Sequence, residues 1–425
     1  MASTITVVSE DRVPVEEARL RELSRALGEA SELGELRRRA LELYRSMPLP
    51  HRADHLWRFT GPGKLMPAVL APAERPAGEL APAGGAAAVV ELTPGRPPLV
   101  RLGAEAMAAG VSVEGFSPEH APGGVVPAEH GIFEALNLAA HDAGAVVRIP
   151  ARATVEQPIR VVVGAGAGTF LPRLLVEAGA GSVATVVEEH VGGGEEAHRI
   201  AVTELLAGED ARIEHVLVQR MERGSRGHLT ARARAERGAS VVTVLVALGG
   251  ELVKADMGTV LAGERAASEI LGFLLAEGRQ HLDHHTVHHH VGPKTTSNID
   301  FKVALTGRAR SVYTGIIRID ETARTSEAYQ ENRNLLLSES CRADTIPELE
   351  ILNEDVQCTH GATVAPIDED QIFYLQSRGL PADRAARLIV RGFLEGTLSR
   401  LPGAVRRTVE PLIDERLAAF EGGHR

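Results

Sequence analysis

A short motif that returns every 28 or 29 residues limits this chain more than any other feature. Gly181-Ser182-Val183-Ala184-Thr185-Val186 is echoed by Asp210-Ala211-Arg212-Ile213-Glu214-His215, by Gly238-Ala239-Ser240-Val241-Val242-Thr243 and by Ala266-Ala267-Ser268-Glu269-Ile270-Leu271. The small residues 182, 211, 239 and 267 mark the period, and an acidic or glycine turn precedes each of them. Between the turns, short Val/Ile/Leu runs alternate with polar residues. A period of this size, built from strands and turns with no helical stretch, is the mark of a stacked β-coil. One rung cannot bury its inward face alone, and stacking rungs completes the core. An antiparallel sandwich with regular hairpins would also space its strands evenly, but the Asn-Gly and Asp-Gly turns that such hairpins favour are absent here. The repeat loosens after 275, with strand-like runs continuing at 299–305, 311–319, 334–337 and 347–351.

Helical patterns flank this core. Residues 15–47 carry Leu20, Leu23, Leu27, Leu33, Leu36, Ala40 and Leu43 at spacings of three and four, and Pro48 and Pro50 end the segment. The stretch from Pro62 to Gly85 reads as irregular connection, and 129–141 as one more short helix. After Pro366, Asp368 is a suitable N-cap with Gln371 three residues on. Pro381 opens a further helix with Ala385, Leu388, Ile389 and Phe393 on one face, and Arg406 to Phe420 adds a last one. The expected organisation is mainly β: a helical and irregular N-terminal domain (1–145), a β-helix core (146–363) and a C-terminal helical domain (364–425). Helices at both ends would also blunt the exposed end rungs.

Charge and composition exclude several functions. The formal net charge of −11 leaves no basic surplus to neutralise phosphates, so nucleic acid is not an expected partner. Two cysteines, Cys341 and Cys358, support no disulfide framework and are too few to hold an iron–sulfur cluster alone. No run of eighteen apolar residues occurs, and Met1 to Leu20 has no apolar leader core, so the expectation is a cytoplasmic, soluble protein without a membrane partner. Gly164-Ala165-Gly166-Ala167-Gly168 lacks the Lys-Ser/Thr of a phosphate-binding loop.

Two groups of residues invite a chemical reading. His281, His284, His285, His288, His289 and His290 fall within ten residues, and neutral imidazole is a common metal ligand. In a strand, His284, His288 and His290 share one face and His281, His285 and His289 the other. A polar face of stacked histidines explains them as well as a metal site does, and no zincin pattern is present. In Cys358-Thr359-His360, strand alternation puts thiol and imidazole on one face, where they could meet one iron or sulfur species, act as nucleophile and base, or face separate partners. Cys341 is followed by Arg342, which would lower a thiol pKa, although a buried inert cysteine is the simpler reading. Two enzymatic alternatives remain: a His-rich metal-dependent enzyme centred on 281–290, and a polysaccharide-active β-helix enzyme. The single Trp and four Tyr offer little platform for sugars.

The C-terminal third then brings a family into view. Leu335-Leu336-Leu337-Ser338, Ile346-Pro347-Glu348-Leu349-Glu350-Ile351, Asp355-Val356-Gln357-Cys358-Thr359-His360-Gly361-Ala362-Thr363 and Phe373-Tyr374-Leu375-Gln376-Ser377-Arg378-Gly379-Leu380 stand in order. With His55-Leu56-Trp57-Arg58-Phe59-Thr60, Phe133-Glu134-Ala135-Leu136-Asn137, Ile149-Pro150 and Gln157-Pro158-Ile159 upstream, the series resembles the SufB/SufD family of the SUF iron–sulfur cluster assembly system. SufB-type members carry a Cys where Asn332 stands and a Glu where Gly361 stands; both departures resemble the SufD type. The resemblance implies a right-handed parallel β-helix between helical domains and a scaffold with no catalytic residues. It implies pairing with a SufB paralogue, with a homodimer possible in isolation, and binding of the SufC ABC-type ATPase through the C-terminal helices. Leu388, Ile389 and Phe393 are the expected contacts there. It further implies no permanently bound cofactor but a transient iron–sulfur cluster at the subunit interface, where His360 and Cys358 match the family's interface residues.

Overall fold

The period read from the sequence is the length of one turn of backbone. A computed structural model of the chain describes residues 12–76 and 85–419. Two sheets face each other across a filled lumen. Sheet A runs through eight parallel strands from Ala143–Ile149 to Arg342–Ile351, and sheet B through eight from Ile159–Ala165 to Val356–Pro366. The chain alternates between them, so each strand pairs with the strand one turn earlier and one turn later. Arg212, for example, lies between Val183 and Ser240. The product is a parallel β-solenoid flanked by helices, and the antiparallel sandwich is excluded.

The corner that leads into sheet B explains the motif. Arg152, Gly181, Asp210, Gly238, Arg265, Lys294 and Thr325 all adopt left-handed backbone conformations, with φ between 57° and 68°. Each donates its N–H to a carbonyl of the next rung, as Gly181 does to Glu209 (2.7 Å) and Thr325 to Asp355 (2.7 Å). Glycine takes this conformation without strain; the five other residues are held in it by that ladder of corner bonds. The residue after each corner turns inward where little room exists, which is why it is small: Ser182, Ala211, Ala239, Ala266, Thr295 and Ser326 are all buried. The fourth member is Ala266, not Ala267. The rung between Ala239 and Ala266 is one residue shorter than the motif spacing suggested, and a shift of one residue exchanges the two faces of a strand.

Three apolar layers follow from this frame. Inward residues of both sheets fill the lumen, among them Val147, Val161, Val176 and Val186 in the early rungs and Ile270, Phe301, Val303 and Ile317 in the later ones. Outside sheet A lie α1 (Glu17–Leu27), α2 (Ser31–Ser46) and, after the short α3 (Ala104–Ala108), α4 (Ile132–Ala140). Leu41, Leu136, Ile200 and Leu252 share one core there. The single helix read over 15–47 is broken at Gly28, whose left-handed φ of 69° ends α1. Outside sheet B lie α5 (Glu369–Ser377), α6 (Ala382–Leu398) and α7 (Gly403–Ala419), packed on Val216, Val244, Leu271 and Phe273. Asp368 caps α5 through bonds from the amides of Asp370 and Gln371. Phe420, at the end of the last expected helix, lies outside the described residues.

The two ends of the stack differ. Strands reach back to Ala88, well ahead of residue 146: Ala88–Leu92 adds to sheet B in parallel and Leu99–Leu102 pairs with it antiparallel. Ser112–Glu114 closes sheet A in the same antiparallel way. Among the described residues, no such strand follows the last rung. The C-terminal helices lie along the flank of sheet B instead of covering the end, contrary to the expectation that they would blunt it.

Gly272 faces the lumen directly under Phe301, and a Cβ at 272 would overlap that ring. Gly272→Val is therefore expected to destabilise the chain by about 1–3 kcal/mol or more through overpacking. A urea midpoint equal to that of the parent chain would show that the lumen is not close-packed at this rung.

Candidate functional site

The last rung carries Cys358 and His360 to an open edge. Among the described residues, Val356–Pro366 pairs only with Ser326–Leu336, and Arg342–Ile351 only with Arg310–Ile319, so each strand has one unpaired side. Register sets Cys358 over Ala328 and His360 over Gln330. Ala328 belongs to the lumen core and Gln330 is fully buried, so Cys358 and His360 face the lumen side as well. Cys358 is half-buried against that core, and His360 is exposed because no rung covers it. Residues two apart in a strand lie about 7 Å from each other, which lets a thiol and an imidazole reach one small metal–sulfur species.

The surroundings are polar and incompletely satisfied. Gln330 Oε1, Asn332 Nδ2 and Thr345 Oγ1 are buried in the last two rungs without a hydrogen-bond partner among the described residues. Burial pushes the Cys358 thiol up to about 11, so in the lone chain it is a neutral thiol and a weak nucleophile. A metal ion would have to displace its proton on binding. Cys341 is buried, with its thiol donating to the Ser338 carbonyl at 2.9 Å, and is an inert core residue.

The six-histidine run forms one strand, His281–His290, and its two faces have separate fates. His284, His288 and His290 enter the lumen. His288 bonds Ser268 Oγ (3.0 Å), and His290 bonds Thr295 and Ser297. Among the described residues His284 has no partner for either ring nitrogen, and burial pushes its pKa down to about 3. On the outer face, His281 meets Thr60 Oγ1 at 3.1 Å, His285 meets Lys254 Nζ at 2.7 Å, and His289 meets Asp320 at 2.8 Å. The segment around Trp57 thus straps across sheet A, with Lys254 Nζ 4.9 Å from the Trp57 ring centroid and bonded to the Leu56 carbonyl. Lys254 and Asp256 were not singled out by sequence reasoning. The available signal was the period itself, because Lys254 stands beside Asp283 and Asp256 beside His285 in register.

The apolar face of α6 is rotated from the one read in the sequence. Ala385, Ala386, Val390, Leu394 and Leu398 form its buried side, Ile389 and Phe393 are partly buried beside them, and Leu388 is 52% exposed. Leu388 borders a shallow groove with Arg384, Arg387, Arg391 and Asp414. On α5, Phe373 (72%) and Tyr374 (57%) are also exposed. No described helix is long and apolar enough to cross a membrane.

The family model for the SufBD core domain of SUF system FeS cluster assembly matches residues 161–393. An iron–sulfur cluster assembly SufBD family protein of Mycobacterium tuberculosis is 30% identical over 383 residues, covering 87% of this chain and 88% of the relative. A Synechocystis protein of the same description is 30% identical over 285 residues, covering 64% and 63%. A second M. tuberculosis SufBD family protein is 32% identical over 222 residues; that match takes in 52% of this chain and spans only 26% of the longer relative.

Two measurements test the electrostatics. Alkylation of Cys358 in a Cys341→Ala background should keep accelerating with pH until about 11; a plateau near 9 would contradict its buried, neutral state. Burial also holds His281 and His290 near 4 and His284 near 3, whereas unfolded histidine titrates near ~6.5. Between about pH 6.5 and 4 the unfolded chain therefore binds more protons, and stability should fall as pH drops through that window. Each such histidine contributes up to roughly 1.4 kcal/mol per pH unit. His284→Leu should flatten the pH dependence of the urea midpoint, and an unchanged slope would refute the assignment.

Proposed function

The chain belongs to the SufBD family of the SUF iron–sulfur cluster assembly system, and from that premise we propose that it is a SufD-type, non-catalytic scaffold subunit that works in the cytoplasm by pairing with a SufB paralogue. A role in cluster assembly follows from the family. The finer assignment rests on Asn332 and Gly361, which stand where SufB-type members carry Cys and Glu. Asn332 points into the lumen as a fully buried amide, so the chain offers no thiol at that point.

The unpaired last rung is the observation that carries the reading. Unpaired strand edges are templates for further strands, and proteins that keep them monomeric protect them with charge, bulges or covers. Here Ile351, Leu352 and Val364 instead expose apolar side chains at the same end. A paralogous solenoid docked end to end would extend both sheets and enclose Cys358 and His360 between the subunits. The incoming iron–sulfur species is then cargo. His360 supplies an imidazole that ligates when neutral and leaves when protonated or displaced. Cys358 becomes a thiolate only as metal binds. On the flank, Leu388 with its arginine-lined groove, and Phe373 and Tyr374 on α5, form the docking surface for an ABC-type ATPase. Its closure would pull on helices anchored to sheet B through Thr397 and Arg400, both bonded to Asp300.

His360→Ala should leave co-purification with the SufB paralogue intact while iron–sulfur enzymes in the cell fail to mature; normal maturation would remove His360 from the mechanism. Ile351→Glu combined with Val364→Glu should weaken pairing by more than about tenfold, or ~1.4 kcal/mol. Undiminished co-purification would show that the open rung is not the interface.

A further inference from the structure

Where the strap around Trp57 and the start of α4 cross sheet A, they roof a cavity of about 490 Å³. We propose that this cavity holds a divalent first-row metal ion, of the zinc or ferrous class, bound by His130, Glu134 and Asp256. The three residues come from the turn before α4, the first turn of α4 and the outer face of strand Leu252–Leu261. Each offers one ligand atom, and these atoms all lie within 4.8 Å of one another. His130 Nε2 and Asp256 Oδ2 are 3.2 Å apart. Two donors about 2.0–2.1 Å from a tetrahedral ion are separated by a similar edge of roughly 3.3 Å.

Each carboxylate is already oriented through its other oxygen. Arg232 donates to Asp256 Oδ1 at 2.6 Å, and the Thr230 hydroxyl donates to Glu134 Oε1. That leaves the second oxygen of Glu134 turned to the cavity and the second oxygen of Asp256 bonded to His130, a bond that an ion held between the two would replace; outer partners of this kind hold metal-binding carboxylates in place. Gly131 makes the geometry possible, since a Cβ there would run into Glu134 Oε2.

Charge points the same way. Glu134 is 4% exposed, and among the described residues its one basic neighbour within ion-pair reach is the His228 ring at 3.7 Å, with no Arg or Lys that close. A buried carboxylate without a fixed cation is costly, and a divalent ion supplies the missing charge. One imidazole and two carboxylates, with no thiolate, suit zinc, manganese or ferrous iron better than cuprous copper or a cluster. Bound there, the ion would pin α4 to the solenoid. The site is distinct from Cys358 and His360: Asp256 sits three strands before the open end of sheet A, about 14 Å along the axis.

The test uses the tag-free full chain, stripped with chelator, checked for folding by circular dichroism and titrated with Co²⁺ and then Zn²⁺. One equivalent of Co²⁺ should bind with visible ligand-field absorption, Zn²⁺ should displace it, and the unfolding midpoint should rise. His130 is at the surface, so His130→Ala should keep the fold and weaken Co²⁺ binding by at least about tenfold, as should Asp256→Asn. Cys358→Ser with His360→Ala should bind the full equivalent. A folded, stripped chain that takes up no stoichiometric Co²⁺, or a His130→Ala variant that binds as tightly as the parent, would overturn the proposal.

Discussion

Every rung of this molecule depends on hydrogen bonds to the rungs on either side. Strands in a parallel stack have no partner within their own turn, so each satisfies its backbone only through neighbours about 4.8 Å away. The corner ladder adds a further bond per rung and holds residues such as Asp210, Arg265 and Thr325 in left-handed conformations that they would otherwise avoid. This makes the middle of the stack self-sufficient and its two ends special. The early end is finished by short antiparallel segments, Leu99–Leu102 and Ser112–Glu114, which break the parallel rung pattern. The late end is left with unpaired strand edges and exposed apolar side chains.

The lumen and the outer faces divide the burial. Aliphatic residues fill most of the interior, but several polar groups are enclosed with them. Glu188 accepts hydrogen bonds from His190, His215 and the Thr203 hydroxyl, and these bonds and nearby imidazoles hold it well below the usual carboxylate range despite burial, which raises it. On the outer face of sheet A the ion pair of Arg173 with Glu204 is fully enclosed, and Glu204 also accepts from the amides of Gly123, Val125 and Val126. Such pairs add little net stability but penalise any other seating of the N-terminal segment, because one displaced partner leaves a buried charge. The same segment roofs the cavity beside Asp256. The chemistry of the outer face and the placement of the N-terminal helices are therefore one problem.

Cys358 and His360 show how a solenoid turns position in the chain into position on an axis. Placed one rung earlier, the same two residues would be sealed inside like His284 and His288. On the last rung, the inward direction opens toward whatever docks there. The scaffold reading depends on this property of the end rung and not on any special reactivity of the two side chains, since the thiol is made less acidic by its surroundings.

Much of this was legible in the chain itself. The period, the turn chemistry at Gly181 and Gly238, the Asp368 cap and the parity that puts Cys358 and His360 on one face are local properties, expressed within one rung or one helical turn. Four things were not. The shortened rung moved the inward small residue from Ala267 to Ala266. The buried side of α6 excluded Leu388. The C-terminal helices chose the flank of sheet B over its end. Lys254 and Asp256 met residues more than 25 positions away. Each depends on which surface lies opposite, and that is settled only when distant segments pack. The sequence by itself determined that the chain would stack strands; the tertiary structure decided where the stack ends and what covers it, because backbone bonding is local to neighbouring rungs whereas the docking of helices on a sheet is a match between whole surfaces.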